Sequence, residues 1–230
     1  FFTRFSCQQF RGVQADRATV GRILTLGLPT LVQMGSLSVV LVVMNGLLAP
    51  RAGTVGVAAF GYVSRLAEFA LAPFSALCLA AAPIIGSSYG AGLHSRVRQT
   101  VVRTVQLGLV YAVAAVAVCF ALSGALLGIF TRDPAIVQVG THCLRRLAPA
   151  LLFLPPVLTV SAYFQSVNRA KSALVTAGAL PLCLCVGACL AAPLGTGAVW
   201  WAVPIAAAVC AVFCGALYIR QAGKRKRRAL

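Results

Sequence analysis

Two charged residues three positions apart interrupt an apolar stretch of the sequence. Arg65 and Glu68 lie among small and aliphatic residues, and on an α-helix this spacing places both side chains on one face. A charge inside a membrane-spanning segment costs on the order of several kcal/mol, so such residues pair or face a cavity. Glu68 is the only carboxylate in any apolar stretch. It is therefore the predicted binding group for a coupling cation, with Arg65 as its partner.

The pair also has a purely structural interpretation. An ion pair satisfies both charges without a ligand, so it could serve only to fix the packing of two helices. The same ambiguity applies to the uncharged polar side chains in apolar stretches, because bridging amides and hydroxyls in membrane proteins contribute about 0.6 kcal/mol on average without any substrate. Of these, five are the candidates to line a substrate cavity: Gln33, Asn45, Ser64, Tyr163 and Gln165.

No pattern of catalytic chemistry accompanies these residues. The sequence contains no GxSxG, HExxH, P-loop or paired-carboxylate motif. Cys185 and Cys189, like Cys210 and Cys214, are spaced i, i+4, but neither pair has a nearby His or acid. Buried cysteines behave as small hydrophobic residues, so packing is their predicted role. We expect a protein that is not an enzyme and that needs neither a metal site nor a cofactor.

The elements that must position these residues are membrane-spanning helices. The 230 residues are 60% hydrophobic and only 10% charged, whereas soluble proteins have about 25% charged residues. A helix crosses the hydrocarbon layer with about 20 apolar residues, and only helices or closed barrels satisfy the backbone there. The sequence predicts an all-α, polytopic transmembrane six-helix bundle with spans at 23–49, 55–86, 104–129, 147–167, 172–193 and 197–219.

The basic residues predict orientation and domain boundaries. The net charge of +17 comes from 20 Lys and Arg against three acids. Fifteen of the basic residues lie on the side that holds both termini and four on the other side, which predicts cytoplasmic termini. Because these charges lie between apolar stretches, they do not indicate nucleic-acid binding. We expect a cytoplasmic connecting segment at 1–22, a transmembrane lobe at 23–219 and a basic cytoplasmic tail at 220–230 that is placed to contact anionic lipid.

Several stretches of the sequence resemble a known family. The stretch 58–65 (AAFGYVSR), Pro73 and the stretch 82–92 (APIIGSSYGAG) resemble the second helix in the C-terminal half of multidrug and toxic compound extrusion (MATE) transporters. Further similarities follow in the family's order: Gly27-Leu28-Pro29, Gln33, Asn45, Arg96, Phe130-Thr131-Arg132-Asp133, Leu144-Arg145 and Tyr163-Phe164-Gln165. The pattern is most similar to the prokaryotic DinF-like and MepA-like branches.

The resemblance implies a function that one lobe cannot perform alone. MATE transporters are cation-coupled antiporters of twelve helices in two lobes, and they exchange H⁺ or Na⁺ for small organic, often cationic, compounds. This chain resembles the C-terminal lobe, so its expected partners are the missing N-terminal six-helix lobe, the substrate and membrane lipid. The expected location is the plasma membrane, specifically a bacterial inner membrane. The chain begins without Met, which is consistent with a fragment.

The resemblance does not place the main coupling acid. NorM-like members have a coupling carboxylate on the first helix of this lobe, where this sequence has an apolar residue near Leu37. DinF-like members are described with an acid in the N-terminal lobe, which is outside this sequence. Two alternatives to multidrug efflux stay open: a lipid-linked oligosaccharide flippase of the same superfamily, and a non-transporting membrane scaffold or truncated product.

Overall fold

The computed structural model describes residues 17–226, and every regular element in that range is a helix. In chain order these are α1 (Arg17–Gly90), α2 (His94–Ala121), α3 (Ser123–Phe130), α4 (Pro134–Leu147), α5 (Ala150–Ser166), α6 (Ala170–Ala191), a short 3₁₀ turn (Ala192–Leu194) and α7 (Thr196–Lys226). The predicted all-α class is confirmed. The remainder of the predicted connecting segment, residues 1–16, and of the basic tail, residues 227–230, lies outside the described residues.

Gly53 divides α1 into two antiparallel helices. Its backbone leaves the helical region, with φ 62° and ψ −164°, a combination that essentially only glycine adopts. We call the two halves α1a (residues 17–52) and α1b (residues 54–90). Leu37 and Leu71 line the same cavity, although a straight helix would separate them by roughly 50 Å. The two halves therefore form a hairpin, at the break predicted between the first two spans.

A second departure from straight helices occurs at α4 and α5. The sequence predicts a connection before a span at 147–167, but the structure has a helix at Pro134–Leu147, bent by 53° onto Ala150–Ser166. Asp133 caps α4 by accepting a hydrogen bond from the Ala135 amide at 2.9 Å. The predicted third span is also corrected, because it consists of two helices, α2 and α3, that meet at Leu122.

The helices account for six membrane crossings. Four helices of the described range are long and apolar enough to span a membrane, and the bent pair α4 and α5, counted as one span, gives a fifth. One of the four is α1, and each of its halves exceeds the roughly 20 residues that a span requires. Dividing α1 at Gly53 gives the predicted six-helix bundle.

Two buried clusters hold the helices together. The first contains Met44, Phe60, Leu144 and Trp200 and lies toward the Gly53 end of the lobe. The second, toward the Gly90 end, contains these residues: Ile85, Val97, Val101, Val157, Tyr163, Phe164, Cys210 and Cys214. The thiols of Cys210 and Cys214 lie 3.9 Å apart within this apolar cluster. A cavity lies beside the first cluster and shares several of its residues.

Candidate functional site

An apolar cavity lies between the two arms of the Gly53 hairpin and the helices behind them. Its volume is about 200 Å³. The hairpin contributes Leu37, Val40, Leu41 and Met44 from α1a and Phe60, Val63, Ser64, Ala67, Glu68 and Leu71 from α1b, and α2, α4, α5, α6 and α7 contribute the remaining wall. Nearly all of these side chains are aliphatic or aromatic. Glu68 is the one charged residue among those that line the cavity.

Glu68 forms the predicted ion pair with Arg65. Nη1 of Arg65 lies 2.9 Å from Oε2 of Glu68. The Glu68 side chain is 40% exposed and that of Arg65 is 67% exposed in the lobe, so the pair lies at the border of the cavity and not in the packed core. Glu68 lines the cavity, whereas Arg65 does not. The carboxylate thus has the guanidinium on one side and an apolar space on the other.

Ser64 is the second polar residue on the cavity wall. Its hydroxyl donates a hydrogen bond of 2.8 Å to the carbonyl oxygen of Phe60 in the preceding turn. A hydroxyl donates one hydrogen bond and accepts up to two, so the Ser64 oxygen keeps its capacity to accept. Ser64 and Glu68 are therefore the two polar residues on one otherwise apolar wall.

The other predicted cavity residues lie elsewhere in the lobe. Gln33 and Asn45 are half-buried on α1a and are not among the residues that line this cavity. Tyr163 is buried in the second cluster, where its ring packs edge-on against Tyr218 with centroids 5.1 Å apart. Gln165 donates a hydrogen bond of 3.2 Å to the Ser161 hydroxyl. Of the five predicted cavity residues, only Ser64 lines the same cavity as Glu68. The role of the other four in substrate binding stays a prediction.

Several wall residues had no signal in the sequence. Cys119, Leu147 and Val203 belong to helices far apart in the chain and meet only in the folded lobe. Leu37 was singled out only as the apolar residue at a position where a carboxylate occurs in NorM-like members, and it lies on the same cavity wall as Glu68. Within the described residues, no group of three or more His, Cys, Asp or Glu side chains could hold a metal ion.

These features define an integral membrane protein whose lobe encloses an apolar cavity with a single carboxylate. Comparison with known families then shows which family the chain belongs to. The sequence model described as MatE matches residues 29–187, which is more than half of the chain. The chain belongs to the MatE family of multidrug and toxic compound extrusion proteins.

The chain is similar to one part of its longer relatives. It is 24% identical over 203 residues to the multidrug export protein MepA of Staphylococcus aureus (strain N315). The aligned region covers 86% of this chain and 44% of that protein. A crystal structure of MATE in the straight conformation superposes with a TM-score of 0.90 at 21% identity, covering 98% of this chain and 52% of the other. A MOP superfamily transporter from Pyrococcus furiosus Vc1 gives a TM-score of 0.84 at 22% identity over 90% of this chain and 47% of that chain. The chain thus spans about half the length of the relatives it matches.

Proposed function

We propose that this chain is the C-terminal half of a cation-coupled multidrug exporter and that Glu68 is a coupling group in it. The MatE family assignment and the similarity to a multidrug export protein support the general activity. The observation that carries the assignment of Glu68 is its position as the one charged residue on the wall of the apolar cavity inside the lobe. Charged residues in membrane-spanning helices are rare and are typical of ion or substrate pathways.

The size of the cavity favours a coupling ion over a whole substrate. Drug-sized ligands occupy pockets of about 300–1,000 Å³, and this cavity has about 200 Å³. The substrate site would then lie between this lobe and its missing partner. Gln33, Asn45 and Gln165 are the side chains that we propose for this lobe's contribution to that site, with Ser64 on the coupling side. Tyr163 is buried in this lobe, so it would contribute only after a conformational change that exposes it.

The helical geometry around Glu68 favours H⁺ over Na⁺ as the coupling ion. Transporters coordinate Na⁺ largely through carbonyl groups of unwound helix. Residues 54–90 keep a helical backbone, so the carbonyl groups near Glu68 are engaged in the helix except that of Phe69, which Pro73 leaves without a donor. A proton requires only the carboxylate. Protonation of Glu68 would cancel its charge and release Arg65, and deprotonation would restore the 2.9 Å ion pair.

This cycle would couple the protonation of Glu68 to the conformation of the α1a–α1b hairpin. With the pair formed, both charges are compensated at the border of the cavity. With Glu68 protonated, Arg65 is left with an uncompensated charge, which favours a conformation in which its guanidinium reaches water. The proposed location is the bacterial inner membrane, with both termini cytoplasmic, because fifteen basic residues lie on that side and four on the other.

The test uses the complete transporter in proteoliposomes, with efflux of a cationic dye driven by a pH gradient or by a Na⁺ gradient. Glu68→Gln should abolish the pH-driven component, because the amide cannot be protonated. The matched control is Asp133→Asn, which removes one carboxylate while an Asn keeps the helix cap. Undiminished pH-driven efflux by Glu68→Gln would overturn the role of Glu68. Translocation of a labelled lipid-linked oligosaccharide without dye efflux would overturn the multidrug function.

A further inference from the structure

A polar groove lies on α2, separate from the cavity that holds Glu68. Its volume is about 340 Å³, and it is lined by side chains from the first turns of the helix: Ser95, Arg98, Gln99, Val102, Arg103 and Gln106. All six residues are exposed. Two guanidinium groups, two amides and a hydroxyl therefore line one small open site.

The groove faces away from the core of the lobe. The buried residues of α2 are Val97, Val101, Thr104, Gly108, Ala112 and Cys119. With 3.6 residues per turn, these residues share one side of the helix and the groove lies on the other. The groove is therefore not part of the intramolecular packing, and its occupant comes from the surroundings of the lobe.

The two arginines lie at opposite edges of the groove. The helical periodicity places Arg98 on one side and Arg103 on the other, with Ser95, Gln99 and Gln106 between them. Arg98 also lies near enough to Tyr218 on α7 for an electrostatic interaction between the two side chains. Guanidinium groups bind phosphate oxygens through charge-assisted hydrogen bonds, and the amides supply further donors. The groove thus matches an anion that carries several oxygen acceptors.

The position of the groove along α2 indicates the source of that anion. Beyond Gln106, α2 continues as an apolar helix to Ala121 and is long enough to cross the membrane. The groove covers roughly 16 Å of α2 where the polar first turns meet the apolar stretch, and a membrane-spanning helix enters the headgroup region at such a boundary. No acid lines it, and the whole chain contains only three acids. We propose that the groove binds the phosphate of an anionic phospholipid in the leaflet at this end of α2.

A simpler role for the two arginines is to fix membrane orientation. That role requires only positive charge in the connection. It does not require the arginines to flank amide and hydroxyl groups on one exposed face, as the groove residues do. A bound lipid would hold the start of α2 beside α7 and would stabilise the lobe independently of Glu68.

Native mass spectrometry of the complete, delipidated transporter tests the proposal. The protein is offered equal amounts of phosphatidylglycerol and phosphatidylcholine with identical acyl chains. We expect wild-type protein to retain phosphatidylglycerol about thirtyfold more strongly, since each of the two arginines contributes about 1 kcal/mol near an anionic lipid. Arg98→Gln/Arg103→Gln should bring the two lipids close to equal retention. Arg51→Gln/Arg132→Gln removes two exposed arginines at the other end of the lobe and should keep the preference.

A second variant keeps every charge that sets the orientation. Gln99→Leu/Gln106→Leu removes only the amide donors to the phosphate, and we expect the retention of phosphatidylglycerol to fall about tenfold or more, as for loss of a hydrogen bond to a charged group. Three results would overturn the proposal: no lipid preference in the wild type, an equal loss in the Arg51/Arg132 control, or unchanged phosphatidylglycerol retention in the Gln99/Gln106 variant. Displacement of the lipid by millimolar inorganic phosphate would assign the groove to a free anion instead.

Discussion

Leu37 on α1a and Glu68 on α1b line one cavity from the two arms of the Gly53 hairpin. The family resemblance implies a coupling carboxylate near position 37 in NorM-like members, and this chain has an aliphatic side chain there. Its own carboxylate comes from the facing arm. The same cavity can therefore receive an acid from either helix, which makes the position of the acid exchangeable.

The first prediction follows from this exchange. In a Glu68→Gln background, Leu37→Glu should restore pH-driven dye efflux, because it returns a titratable carboxylate to the cavity. We expect a rate within about tenfold of the starting protein, which corresponds to roughly 1.4 kcal/mol of imperfect placement. The measurement is dye efflux from proteoliposomes that contain the complete transporter.

The control for this rescue places the new acid outside the cavity. Val42 is on the same helix as Leu37, is 71% exposed and does not line the cavity. Val42→Glu in the Glu68→Gln background should not restore efflux. Equal rescue by both variants would mean that any acid on α1a suffices, and the cavity would then have no special role.

A second prediction concerns the contact between α1b and α2. Gly108 faces the buried ring of Phe74 so closely that a Cβ at position 108 would overlap the ring. Gly108→Ala should lower stability by about 1–3 kcal/mol, as overpacking does in well-packed cores. The thermal unfolding midpoint of the detergent-solubilised protein should fall accordingly.

Two further variants identify the cause of that loss. Gly128 lies in α3 with no atom near its would-be Cβ, so Gly128→Ala should be neutral or slightly stabilising. Phe74→Leu combined with Gly108→Ala should recover part of the lost stability, because the smaller side chain leaves room for the methyl group. If the double variant is as unstable as the sum of the two single variants, the ring contact is not the reason.

A third prediction concerns a hydrogen bond beside a proline. The hydroxyl of Tyr111 on α2 donates to the carbonyl oxygen of Ala70 at 2.7 Å. Pro73 follows in the same helix and lacks an N–H, so the carbonyl of Phe69 loses its helical donor. The carbonyl of Ala70 keeps the N–H of Phe74 as its helical donor, and Tyr111 is an additional one. Tyr111→Phe should lower stability by about 0.6 kcal/mol. In a Pro73→Ala background the loss should stay about the same, since the N–H that alanine adds bonds the carbonyl of Phe69 and not that of Ala70. A smaller loss there would show that the tyrosine bond compensates for the proline.

The sequence predicted the helices better than their breaks. Long apolar stretches indicate membrane-spanning helices reliably because the hydrocarbon layer allows few other structures. The helix at Pro134–Leu147 was missed because it contains Arg145 and Arg146, which suggested a connection. The structure places Arg145 within hydrogen-bond distance of the buried Ser123 hydroxyl, at 3.1 Å. A tertiary contact of this kind has no signature in local composition.

The candidate site was predictable only as far as spacing allows. The i, i+3 separation of Arg65 and Glu68 predicted their ion pair, because that contact depends on one helix alone. Whether a polar side chain on α5 reaches the cavity depends on how α5 packs. Tyr163 is instead buried against Tyr218, 55 positions later in the sequence. Long-range contacts of this type decide which polar residues share a cavity.

The final prediction concerns the turn that brings Leu37 and Glu68 together. Gly53 has φ 62° and ψ −164°, and a residue with a Cβ is strained there by about 1–3 kcal/mol. Gly53→Ala should therefore favour a continuous helix over the hairpin, and it should reduce both the yield of folded protein and its unfolding midpoint. The control is Gly46→Ala on α1a, where the backbone is helical and no atom lies near the new methyl group. That variant should match or exceed wild-type stability. Wild-type stability in Gly53→Ala would show that the turn tolerates a side chain, and the hairpin would not depend on glycine at this position.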